Sequence, residues 1–170
     1  NHATALYIYS ELELARNRFD AALSRAQQAY ELDPLSPWIN VNLAIVHFWR
    51  SEYQPALEAV QNAIRIDNNY TWAYVWQAKI FHRQGQLSAA ITSMLQSADI
   101  DSASVVNSAY TGLLYMEIGD EEQAEYWFRH TASLLGDTPQ ARFWQGLQRF
   151  TEPQQTTDVA RQLMLELPLL

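Results

Sequence analysis

The 170-residue chain contains no cysteine. Without thiols it has no disulfide framework, no thiolate metal site and no thiol nucleophile. Lysine is almost missing: Lys79 stands alone beside ten arginines. The formal net charge is −8. A chain with that balance has no basic patch to release counterions from a phosphate backbone, which argues against direct nucleic-acid contact. No window is long and apolar enough to span a membrane, and no secretory leader pattern is present. The compartment stays open between cytoplasm and bacterial periplasm. Glycine is scarce, at 5 residues, and 48% of the residues are apolar. Both figures suit a packed helical array.

Catalytic motifs are missing as well. There is no GxSxG, P-loop, GxGxxG or HExxH. His47 and His82 lie 35 residues apart without further ligands at metal spacing. His130 is expected on a solvated outer helix. Glu11 and Glu13, or Glu121 and Glu122, read as exposed helix charges. The expectation is no enzyme, no metal and no cofactor.

What is present is a period. Asp33, Asp67 and Asp101 are spaced by 34 residues, and so are Ala22, Ala56, Ala90 and Ala124. Asn17, Ser51, Gly85 and Gly119 form a turn-forming column in the same register, and Ser10, Ala44, Ala78 and Gly112 a small-residue column. Leu32, Ile66, Ile100 and Leu134 stay apolar, while Ala29, Ala63, Ser97 and Thr131 stay small. Such a period means one supersecondary unit stacked on itself. Within each unit apolar and small residues recur at helical spacing, as in Ala22, Ala26 and Ala29. The turn column divides each unit into two helices. Ser36 before Pro37 reads as an N-cap followed by a first-turn proline, and Thr138 before Pro139 repeats that logic. Asp120 with Gln123 resembles a capping box.

These units resemble tetratricopeptide repeats, which are 34-residue helical hairpins. Leu43, Ala44, Tyr53, Ala56 and Ala63 carry the likeness in one unit. Ala78, Phe81, Gly85 and Ala90 carry it in the next, and Gly112, Tyr115, Gly119, Ala124 and Phe128 in a third. The first unit matches through Phe19, Ala22, Ala29 and Pro34. The resemblance implies an all-α fold, a right-handed superhelical solenoid of antiparallel helix pairs. Four pairs are expected at 3–36, 37–70, 71–104 and 105–138. A degenerate fifth pair or cap follows over 139–170, with "DVARQLMLELP" as its second helix. The first helix lacks a polar cap and the chain ends "LELPLL", which suggests a segment of a larger protein.

In such a solenoid the first helix of each pair lines the concave side. Register then places a binding groove at Tyr7, Trp38, Asn42, Ile45, Trp49, Trp72, Trp76, Lys79, His82, Arg83, Tyr110, Leu113 and Trp144, beside Glu11 and Phe143. An exposed aromatic stripe of that size marks an interface, and Lys79, His82 and Arg83 add a basic spot for a carboxylate. The lysine- and asparagine-rich carboxylate clamp of some tetratricopeptide proteins is not matched. Asn42 suits it, but Tyr7 and Glu11 replace a cation and an amide. The leading expectation is a protein- or peptide-binding scaffold. The alternative is the sensory or regulatory part of a bacterial transcriptional regulator or signalling protein, whose DNA-binding or catalytic domain lies elsewhere. Self-association through the apolar ends is a third reading.

Overall fold

The turn column sets the architecture. In the computed structural model, which describes residues 2–147, Asn17, Ser51, Gly85 and Gly119 all take left-handed backbone angles, φ 57°, 62°, 74° and 79°. Each follows a first helix and reverses the chain into a second. The helices are α1 His2–Ala15, α2 Phe19–Leu32, α3 Pro37–Trp49, α4 Tyr53–Ile66, α5 Thr71–Arg83, α6 Leu87–Ile100, α7 Val105–Glu117, α8 Glu121–Leu135 and α9 Pro139–Leu147. The expected second helix of the fifth pair, at 158–168, lies outside the described residues.

The aspartate column closes the second helices. The carboxylate of Asp67 accepts from the Asn69 backbone N–H at 2.9 Å, and that of Asp101 from Ala103 at 3.2 Å. These short loops end one pair and start the next. Ser104 and Asp120 then cap α7 and α8, accepting from the N–H groups of Asn107 and Gln123. Thr138 does the same for Ala141 at 3.1 Å. Ser36 differs from expectation. Its backbone is extended and Pro37 follows, but its hydroxyl makes no capping bond and is buried without a partner. The Asn40 amide ties that junction instead, donating to the carbonyls of Pro34 and Ser36 at 2.9 Å each.

The chain divides into two compact units, Asn1–Gln86 and Leu87–Leu170. In unit one, α1 pairs with α2 and α3 with α4, and α5 packs on both α3 and α4. The core runs along an alanine seam. Ala22 and Ala26 meet Val46, Ala29 meets Ile39, and Ala56, Ala59, Val60 and Ala63 meet Ala73, Trp76 and Ile80. Small residues let helix axes approach closely, and the branched side chains opposite fill the gap. Each such apolar side chain, once fully buried, stabilises by about 1.5–3 kcal/mol before entropy is counted.

Unit two holds α6 to α9 among the described residues. Gly112 of α7 is there because of Phe128 of α8: an added Cβ would meet Phe128 Cε1 at 2.6 Å. The α7–α8 pair is also hydrogen-bonded. Thr131 donates to the Trp127 carbonyl at 2.8 Å, and Ser108 Oγ lies 3.0 Å from the Thr131 hydroxyl. His130 is not solvated as expected. It is half-buried, with Nδ1 2.9 Å from Ser108 Oγ and its ring stacked parallel to Tyr126.

Candidate binding face on the first helices

In unit one the candidate residues rise from α1, α3 and α5. Tyr7 is half-buried, with its ring edge-on to Trp38 at 4.7 Å. Its hydroxyl donates to Glu11 Oε1 at 2.6 Å. Burial, and then the neighbouring Glu11 carboxylate, push its pKa well above the ordinary tyrosine value. Tyr70 is raised in the same direction by burial, Asp67 and Glu11. Tyr7 is therefore a neutral donor that holds Glu11 against α1.

Further along, four side chains form a line of cations and rings. Lys79 Nζ sits 4.6 Å from the Trp76 ring centroid, Trp76 lies edge-on to Phe48 at 5.5 Å, and the Arg83 guanidinium is 5.8 Å from Phe48. Each cation faces the negative surface of a ring. Lys79 is only 7% exposed and makes no ion pair among the described residues. Burial lowers its pKa to about 8. Arg83 is exposed. Phe48, on which this line turns, was not among the expected groove residues. The signal for it was there, because Phe48 stands 34 residues before His82, which was placed on the inner face.

What stays open is narrower than the sequence implies. Trp49 is 44% exposed and Trp72 43%. Trp38, Ile45 and His82 are half-buried, and His82 is engaged with a neighbour. Trp76 is buried in the core, between α3 and α4. Asn42 is buried, with neither side-chain polar atom hydrogen-bonded. Trp49 borders an open cleft of about 680 Å³ with Asn17, Arg18, Phe19, Asp20, Ala21 and Arg50. The Arg50 side chain there is already held by Asp20 and by Glu52, whose other oxygen meets His47 Nδ1 at 2.6 Å.

No family model and no curated protein matches the sequence. Solved structures do. A crystal structure of MamA matches at a TM-score of 0.70 and 17% identity, over 98% of this chain and 90% of that one. A thermophilic TPR protein of Thermus thermophilus matches at 0.73 and 20% identity, over 98% and 91%. The fold is the tetratricopeptide repeat. The first TPR of Spaghetti (RPAP3), bound to an HSP90 peptide, also matches, at 0.65 and 15% identity, over 69% of this chain and 96% of that one. At these identities the likeness is one of fold.

Within that fold the expected groove residues of unit two are core residues. Tyr110 is 2% exposed and Leu113 fully buried. Trp144 is buried and stacked on Phe128, 5.7 Å between centroids. Register places all three on first helices, but TPR first helices also bury a face against the preceding second helix. Facing inward and lying open are therefore different properties. Phe143 has no described side chain. Among the described residues no cluster of three metal-ligating side chains occurs, and no helix is long and apolar enough to cross a membrane.

Proposed function

We propose that unit one is a peptide-binding surface, with Trp49 and Trp72 as its apolar anchors and Arg83 as its cation for a carboxylate. The observation that carries this reading is the exposure of two tryptophans, 44% and 43%, at first-helix positions of a TPR-type scaffold. Tryptophan left that open is costly in water, and it is enriched among residues that dominate interfaces. A structural neighbour of the same fold is bound to a peptide, SRMEEVD, which supports the class of ligand. Arg83 offers a planar fork for a carboxylate, and its hold on Phe48 orients it in advance. Lys79, Trp76 and Asn42 lie beneath this surface and shape it rather than touch the ligand.

The test is selection of a random peptide library against the intact chain. Enriched peptides carry large apolar side chains beside an acidic residue or a free carboxyl terminus. Trp72→Ala weakens the selected peptides about thirtyfold, as loss of an interface anchor does. Its circular dichroism stays that of the parent, so that lost binding is read apart from lost fold. Trp49→Ala behaves alike. Peptides that bind both variants as well as the parent would sink the reading.

A further inference from the structure

The second helices carry a ridge that the stack leaves in solvent. Ser24, Glu58 and Thr92, 34 residues apart, are all exposed, although the next first helix packs on each of α2, α4 and α6. One turn on, Gln28 and Asn62 are half-buried and Gln96 is exposed. Positions of this kind ask only for polar side chains, and α2, α4 and α6 supply them. In α8 the same two columns hold Tyr126 and His130, while Trp127 stands where Arg25, Ala59 and Ser93 stand. Tyr126 is 55% exposed. Its openness does not come from a missing neighbour, because α9 packs on α8 as α3, α5 and α7 pack on α2, α4 and α6. The repeat therefore has no need of a ring at Tyr126.

The three rings have one fixed arrangement. The planes of Tyr126 and His130 lie within 3° of parallel, with centroids 6.5 Å apart. Trp127 stands at 87° to Tyr126 and 88° to His130, with centroids 5.4 and 5.9 Å away. His130 is anchored, its Nδ1 2.9 Å from Ser108 Oγ of α7. Rings held in advance lose little freedom when a ligand arrives. Charge sets the sign of that ligand. Glu122 stands one turn before Tyr126, and residues four apart are neighbours on a helix surface. Glu122 is exposed and makes no ion pair among the described residues. Arg129, the cation of α8, is taken by Glu125 at 3.4 Å.

We propose that Glu122, Tyr126, Trp127 and His130 form a docking site for an arginine side chain of a partner protein. The Glu122 carboxylate takes the guanidinium fork, and the rings take its flat face. Arginine suits both parts at once, because its cation is planar, weakly hydrated and able to stack on a ring while it bonds to a carboxylate. A lysine ammonium is a compact, strongly hydrated charge and gains less from the rings. An anion would meet Glu122, and an apolar group would leave that carboxylate unmatched. The site lies on α8 within unit two and does not depend on the peptide surface of Trp49 and Trp72.

The probe is the blocked peptide Gly-Ser-Arg-Ser-Gly, titrated into the nitrogen-15-labelled full chain and followed by NMR at the Trp127 indole N–H and the Tyr126 and His130 amides. The expected result is a saturable shift of these signals. The same peptide with citrulline, which keeps the shape of arginine without its charge, does not shift them, and a lysine peptide binds more weakly. Glu122→Gln and Tyr126→Ala each weaken the arginine peptide by about fivefold or more, while Tyr126→Phe, which keeps the ring, binds as the parent does. The amide spectra of the free variants away from α8 match the parent's, so lost binding is read apart from lost fold. Trp72→Ala leaves the titration unchanged, which separates this site from the peptide surface proposed above. The proposal is overturned if the arginine peptide shifts nothing, if the citrulline peptide shifts the same signals as far, or if Glu122→Gln binds equally well. It is also overturned if the peptide binds only after Arg149 and Arg161 are both changed to Gln, the chain's own arginines being then the occupants. Movement of the same signals on dilution of the chain alone would overturn it too, since a second copy would then fill the site.

Discussion

At the scale of the residue, Lys79 is the least ordinary group. Its ammonium is 7% exposed, with an aromatic ring in place of a carboxylate. Burial of a cation without a counter-charge favours the neutral amine, so its pKa falls from 10.5 to about 8. In the unfolded chain the amine keeps its proton up to the ordinary value. Between those two values the unfolded state binds more protons than the folded one, so stability rises with pH. The expected gain is about 2 kcal/mol between about pH 7.5 and about pH 9.5, measured by urea unfolding. Above that window Tyr7 and Tyr70 oppose it, because both stay protonated in the fold after their unfolded counterparts ionise. Lys79→Met keeps the packing on Trp76, removes the slope and is the more stable protein at neutral pH. A parent and a Lys79→Met variant with the same pH profile would refute the account.

At the scale of the element, the start of each helix shows how far a motif reaches. Ser36, Ser104, Asp120 and Thr138 all stand at helix starts, and sequence alone treats Ser36 and Thr138 alike because a proline follows each. The structure separates them. Ser104, Asp120 and Thr138 accept backbone N–H bonds, while the Ser36 hydroxyl is buried and unmatched. Asp120→Ala therefore costs about 1 kcal/mol, by loss of the cap and of a negative charge at a helix N-terminus. Ser36→Ala costs nothing or stabilises, since it removes a buried hydroxyl that has no partner. Chemical denaturation of the two variants beside the parent decides it; an equal loss in both would show that Ser36 caps after all. The turn column was legible for a firmer reason. A chain reversal between helices demands left-handed backbone at one position, which Gly85, Gly119 and Asn17 readily take, while Ser51 takes it against its own preference. The inner face was less legible. Trp72 and Trp76 are four residues apart on one helix, yet one is 43% exposed and the other 7%. Periodicity gives direction around a helix axis, whereas openness depends on how near the neighbouring helices come.

At the scale of the whole molecule, the balance of charge sets an expectation for binding to nucleic acid. Its 19 acidic side chains outnumber its 11 basic ones. Five of the eight described arginines are also spent locally: Arg16 and Arg18 on Glu13, Arg50 on Asp20 and Glu52, Arg129 on Glu125, Arg142 on Asp137. Most of these pairs are exposed and add little to stability. Their effect on recognition is larger, because an arginine facing a carboxylate presents almost no positive field to a phosphate. Binding to a duplex needs several cations in a row to release counterions, and affinity from that source falls steeply with salt. The described surface offers Arg83 beside a ring and Arg25 and Arg65 beside neutral amides, on three different helices. A labelled short DNA duplex titrated with the chain at physiological salt should therefore show no change in anisotropy. Lowering the salt should not rescue it, since the net charge of −8 then repels the duplex over a longer range. Saturable binding with a linear dependence of log affinity on log salt would refute this, and would mean that these arginines release their carboxylates to meet phosphate.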